Sequence, residues 1–153
     1  MKRAAFAAFR RLPRRLRIAT IHAFTPSFTV GVVLILTRDN GDLLLVEQRH
    51  TGGWALPGGL LARREDPYDG IVREVAEEVG LTLEPARLPT PYAVVTPQVR
   101  RVDVVFVCVA AEGVRPRPGE DDAEVTGIGW FALDALPDVT APTLDILRGA
   151  RVL

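Results

Sequence analysis

Cysteine and histidine are almost missing from these 153 residues. Cys108 is the lone thiol, and His22 and His50 are the two imidazoles. One thiol excludes an intramolecular disulfide, and three scattered soft donors exclude a structural zinc of the usual Cys/His kind. Cys108 lies in an apolar run, Val104 to Ala110, and reads as core packing. Lysine is as rare as cysteine: of 19 basic residues, Lys2 alone is not arginine. Alongside the Ala, Pro and Gly content, that bias reads as GC-rich coding, not as selection for phosphate recognition. Acids are absent before Asp39, whereas Lys2, Arg3, Arg10, Arg11, Arg14, Arg15 and Arg17 fall before residue 21. A basic arm (residues 1–20) thus precedes an acidic body (21–153) with a surplus of seven acids.

A convincing membrane-length segment is also lacking. Residues 18–37 are uncharged, but Thr20, His22, Thr25, Pro26 and Ser27 occupy their first half. The second half is β-branched and leads to Asn40-Gly41, so a strand explains it better than a span. Ala4 to Phe9 is too short for an export signal and is closed by Arg10-Arg11, which makes the expected location cytoplasmic. What is present is ordinary: 48% hydrophobic and 25% charged residues, a composition that excludes a disordered chain and fits one domain.

The hydrophobic periods predict a helix over 4–17, kinked or split by Pro13. Strands are predicted over 28–37 and 42–48, joined by a tight hairpin connection, Arg38-Asp39-Asn40-Gly41, in which Asn-Gly tolerates positive φ. A short strand at Trp54-Ala55-Leu56 is expected to break at Pro57-Gly58-Gly59. A helix should start after Asp66 as N-cap, with Pro67 in its first turn and Asp69 completing a capping arrangement. Ile71, Val72, Val75 and Val79 form its buried stripe, and Gly80 ends it. Further strands are predicted over 93–96, 102–111 and 125–131, and a closing helix over 142–151. Strands alternating with two helices describe a single α/β domain.

Residues 59–81 read GLLARREDPYDGIVREVAEEVGL. Gly59 is followed after five residues by Glu65, and after seven more by Arg73-Glu74-Val75, Ala76, Glu77-Glu78, Val79, Gly80 and Leu81. On a helix, Glu74, Glu77 and Glu78 are spaced i, i+3, i+4 and crowd together, a repulsion that a hard divalent cation resolves. Arg73, one turn before Glu77, can orient it, and Glu65 can pair with Arg73 or cap the loop.

At every defined position this segment resembles the Nudix box. Seven such identities coincide by chance ~10⁻⁹ of the time per start position. The similarity extends to Trp54–Gly59 upstream and to Trp130-Phe131 and Leu136-Pro137 downstream. Two loop positions depart from many relatives: Ala62 stands where an acid is common, and Arg64 where glycine is.

The resemblance implies a Nudix-type α/β/α sandwich around a mixed β-sheet. It implies Mg²⁺ (or Mn²⁺) held by Glu74 and Glu78, by the Gly58 carbonyl and by a late-loop acid, Glu124 or its rival Glu120. Glu77 is implied as ligand or base, with Arg73 holding it. The implied reaction is water attack on the pyrophosphate of a nucleoside diphosphate linked to another group. Pro97, sixteen residues past the box, matches the pattern of ADP-ribose pyrophosphatases. Modified nucleoside triphosphates are the alternative substrates, and a non-catalytic nucleotide-binding module is the alternative of another class. Arg49, just after a predicted strand, is a candidate for a substrate phosphate; His50 beside it reads as a bystander. Expected partners are a nucleotide-derived small molecule and a second copy of the chain in a homodimer; the arm is expected to fold back on its own or a neighbouring acidic body, the alternative being an anionic surface. The arm lacks the aromatic interleaving of a specific nucleic-acid reader.

Overall fold

The computed structural model describes residues 9–50, 52–119 and 124–153. Pro13 does more than kink the first helix. Residues 9–11 are helical, the chain opens at Pro13 (φ −53°, ψ 147°), and α1 (Arg14–Phe24) begins after it and outruns the predicted end. Residues 4–8 of that expected helix lie outside the described residues. No helix among the described residues is long and apolar enough to cross a membrane.

The strands are β1 (Thr29–Thr37), β2 (Leu43–Gln48), β3 (Gly53–Ala55), β4 (Gly58–Leu60), β5 (Tyr92–Thr96), β6 (Arg101–Val109) and β7 (Val125–Phe131). Together they form one mixed seven-stranded sheet. Two further helices, α2 (Pro67–Val79) and α3 (Ala141–Gly149), cover its faces. The β1–β2 hairpin turn differs from the expected pair of positive-φ residues: only Gly41 adopts one (φ 87°). Gly41 N–H donates to Arg38 O and Arg38 N–H to Asp42 O, both at 2.9 Å, so the connection is three residues long.

Beyond that turn β1 and β2 separate. They pair only at Thr37 and Leu43, and β3 and β4 fill the gap. β3 pairs with the end of β2, while β4 pairs antiparallel with β1 from Gly31↔Leu60 to Val33↔Gly58. The expected break at Pro57-Gly58-Gly59 is therefore a two-residue offset, Leu56-Pro57, after which the chain re-enters the sheet on another strand. Leu34 N–H donates to Pro57 O at 2.9 Å, which pins the offset to β1. On its other edge β1 runs parallel to β6, with Thr29↔Arg101 through Thr37↔Val109 in register. β2 pairs with β7 along its length, with an irregularity between Glu47 and Gln48.

β1 is buried on both faces, which explains its unbroken apolar run. Val32, Leu34 and Leu36 pack with Leu44, Val46 and Phe106 against Ile71, Val75 and Val79 of α2. Val33 and Ile35 pack with Leu43, Leu45 and Val105 against Ile146 and Leu147 of α3. The core is thus two layers, one on each side of the sheet, as an α/β/α sandwich requires. α2 starts as predicted: the Asp66 carboxylate accepts Tyr68 N–H at 2.9 Å, Pro67 is in the first turn, and Gly80 closes the helix at φ 62°. Val72, predicted in the buried stripe, is only partly covered.

The offset depends on Gly58, whose φ is +142°. A Cβ there would strike Val32 O and lie 2.8 Å from Val33 Cα. Gly58→Ala should therefore cost at least ~2 kcal/mol, through backbone strain and lost β1–β4 pairing. Thermal unfolding should show Tm lower by roughly 4–8 °C for a domain of this size.

Candidate functional site

Arg73 is the hub of the box. Its Nε donates to Glu65 Oε1 at 2.8 Å and its Nη2 to Glu65 Oε2 at 3.0 Å, a bidentate grip. Nη1 reaches Glu74 Oε1 at 2.8 Å and Glu77 Oε2 at 3.1 Å. Glu65 also accepts Ala62 N–H at 2.7 Å, so it both pairs and caps the loop. The hydrogen bonds from Arg73 and then from Ala62 lower the Glu65 carboxyl from 4.5 to about 2. Arg73 is in turn pushed above its ordinary value, chiefly by its bonds to Glu65.

The three helix carboxylates part company around this hub. Glu78 is buried, at 7% exposure, whereas the Glu77 side chain is 56% exposed. Glu78 Oε1 accepts Gln48 Nε2 at 2.6 Å, and its Oε2 accepts Gly58 N–H at 2.8 Å. Glu74 packs over Gly59, where a Cβ would lie 2.6 Å from its Cδ. Burial raises the Glu74 carboxyl above its ordinary value, with Arg73 opposing the shift and the Glu77 and Glu65 charges adding to it.

Glu74 and Glu78 line a cavity of about 680 Å³ together with Gln48, Gly58, Gly59, Arg101 and Glu124. The opposite wall is Leu56, Thr140, Thr143 and Ile146, from the α3 side of the sheet. Residues of β1, β2, β3 and β4 line the cavity, with Glu74 and Glu78 from α2 and Thr143 and Ile146 from α3. The β2–β7 irregularity places Gln48 opposite Val125 and so brings Glu124 to the rim. Arg49 N–H donates to Glu124 O at 2.9 Å and fixes that approach. The Arg49 and His50 side chains are exposed and do not belong to the lining among the described residues. Glu120, the rival late-loop acid, lies outside the described residues.

The donors suit a hard divalent cation in kind: half-buried and buried carboxylate oxygens beside a backbone turn that accepts no side chain. A cation would also offset the desolvation that raises the Glu74 carboxyl. Among the described residues no three Asp, Glu, His or Cys side chains are already gathered as a closed metal cluster. Gln48, Arg101, Thr140 and Thr143 are lining residues that sequence reasoning missed. Asp103, next to Arg101, carried a signal: an acid inside the apolar stretch Val102 to Phe106.

A family model described as NUDIX domain matches residues 27–148. A MutT-like protein of Streptomyces ambofaciens is 33% identical over 130 residues, covering 82% of this chain and 80% of that protein. A Bacillus subtilis protein provisionally named ADP-ribose pyrophosphatase YjhB is 32% identical over 67% of this chain. A Mycobacterium tuberculosis protein provisionally named 8-oxo-dGTP diphosphatase 3 is 34% identical over 71% of this chain. The chain spans about half the length of these last two, 50% and 54%. The crystal structure of a MutT NUDIX hydrolase from Burkholderia pseudomallei superposes with TM-score 0.65 at 32% identity, covering 80% of this chain and 98% of that one.

The Glu65–Arg73 pair carries a pH signature. Because the folded-state carboxyl is depressed, its contribution is complete above 4.5 and is lost as pH falls toward about 2. Glu65→Gln should remove that portion of the acid sensitivity. Unfolding midpoints in urea, measured from pH 5 down to pH 2, should fall less steeply for the variant than for the wild type.

Proposed function

Since the chain belongs to the NUDIX family of pyrophosphohydrolases, which act on phosphoanhydride bonds, we propose that it is a divalent-metal-dependent hydrolase of a nucleoside diphosphate linked to another group, with ADP-ribose-like substrates preferred. The observation that carries this reading is the shared cavity of Glu74 and Glu78, each held by a separate set of partners. A non-catalytic module has no use for two partly desolvated carboxylates kept in place at such cost.

Glu74, Glu78, the Gly58 carbonyl and Glu124 would hold Mg²⁺ or Mn²⁺, with Glu77 as a further ligand or as the base. When bound, the cation lowers the pKa of the attacking water and neutralises charge that develops on the diphosphate. The chain's own part is positional. Gln48 Nε2 and Gly58 N–H fix the two oxygens of Glu78, while Arg73 fixes Glu74 and Glu77. Exposed Glu77 can pass a proton to solvent as water adds to phosphorus and the bridging P–O bond breaks. Thr143 Oγ1, buried in the far wall, accepts Leu56 N–H at 3.3 Å and keeps that wall in register. Residues 1–20 supply none of these groups and act as a basic arm outside the hydrolytic domain.

The Bacillus relative supports the ADP-ribose preference, as does the position of Pro97, although Pro97 is exposed and is not a lining residue. The Mycobacterium relative favours a second reading, pyrophosphohydrolysis of modified nucleoside triphosphates. Glu78→Gln keeps the shape and removes the charge, and turnover should fall by at least ~10²-fold, beyond a merely supporting role. Near-normal turnover would remove Glu78 from the mechanism. A nucleotide panel with Mg²⁺, its products resolved by mass, should show AMP and ribose 5-phosphate from ADP-ribose, with triphosphates turned over more slowly. Preferred release of pyrophosphate from a triphosphate would select the second reading.

A further inference from the structure

The cavity contains three carboxylates and a single cation among its described lining residues, Arg101. Its Nε donates to Asp103 Oδ1 at 2.7 Å. Asp103 is 2% exposed, and the Arg101 side chain 33%. The two residues are i and i+2 on β6 and so share one face of the sheet. Asp103 lies beside Gly31 of β1, and Gly31 pairs on its other side with Leu60 of β4.

The missing side chain of Gly31 makes room for this pair. Its Cβ would stand 2.6 Å from Asp103 Oδ1, 2.7 Å from Arg101 Nη2 and 3.1 Å from Gly59 O. The guanidinium and the Gly58-Gly59 turn therefore flank one point. Glu74 packs on the other side of that turn. With Nε engaged, the terminal nitrogens of Arg101 make no hydrogen bond to any described residue. Anchored at one edge, a guanidinium presents a planar fork of donors suited to two phosphoryl oxygens.

We propose that Arg101 binds a phosphoryl oxygen of the diphosphate in this cavity, and that Asp103 is the positioning residue that aims it. This rests on the hydrolase reading above. A diphosphate entering a wall of carboxylates needs a protein cation for the charge that a bound metal leaves over. Arg101 is the one described lining residue that can supply it.

The test uses α,β-methylene-ADP, which is not hydrolysed at its bridge, and adenosine as the phosphate-free control. With Mg²⁺ present, Arg101→Ala should weaken methylene-ADP binding by at least ~10-fold and leave adenosine binding unchanged. KM for the best substrate should rise similarly, with kcat altered much less, the signature of uniform binding. Asp103→Asn should weaken methylene-ADP binding by several-fold on its own and add little in the Arg101→Ala background. Arg101→Ala leaves a buried carboxylate behind, so Arg101→Met with Asp103→Asn, which removes both charges, is the folding-safe version of the same test. Wild-type affinity for methylene-ADP in a folded Arg101 variant, with turnover intact, would overturn the proposal and leave the hydrolase reading standing. A wild-type protein that neither binds methylene-ADP nor hydrolyses any nucleotide would overturn both.

Discussion

Two strands that leave a hairpin together normally stay paired; here β1 and β2 do not, and the rest of the site depends on how the gap between them is filled. The gap would leave backbone donors and acceptors unmatched on two central strands. An eight-residue segment, Gly53 to Leu60, satisfies them by pairing first with β2 through β3 and then with β1 through β4. The change of partner occurs over Leu56-Pro57, between β3 and β4. Gly58 N–H, turned out of the ladder there, meets Glu78. A buried carboxylate on a helix thereby becomes tolerable through a donor that only this sheet defect provides.

The acidity of the helix is handled in a second way by Arg73. One guanidinium contacts three carboxylates, so repulsion among them is converted into a fixed arrangement. The effects on the partners differ in sign. Glu65 is drawn well below the usual carboxylate range, while burial lifts Glu74 in spite of the same arginine. Two acids on one cation thus sit in opposite electrostatic regimes, one anchoring and the other in need of a counter-charge. Glu77, the third, is held by Arg73 at 3.1 Å yet stays open to bulk water.

Helix α2 was legible almost to the residue, because its signals are local: the Asp66 cap, Pro67, the stripe of Ile71, Val75 and Val79, and the Gly80 stop. β7 was equally clear, bounded by polar loops and patterned by its own residues. β4 was missed because Gly58-Gly59-Leu60 has no strand propensity of its own and is a strand only through the β1 edge it meets. Trp54 and Glu78 could be placed from sequence, but the contact of Glu78 with Gln48 spans thirty residues and depends on the β2–β7 irregularity. Arg101 was invisible for a similar reason. One arginine among 19 basic residues is singled out only when the parallel β1–β6 register sets it beside a bare strand. Arg49 looked better placed in the chain, yet its side chain lies outside the lining.

Gly31, Asp103 and Arg101 occupy one volume between them, and this sets an order on how such a chain can drift. While the ion pair is present, any side chain at Gly31 collides with it. Once the arginine is lost, the buried acid is left unpaired, a more damaging state than losing both. The first tolerated departure is therefore the neutralisation of Asp103, then replacement of Arg101, and only last the appearance of a methyl group on β1. A relative with alanine there and an intact pair should be met rarely, if at all. The bare Cα of Gly31 thus sets how closely a guanidinium and the Gly59 carbonyl can approach β1.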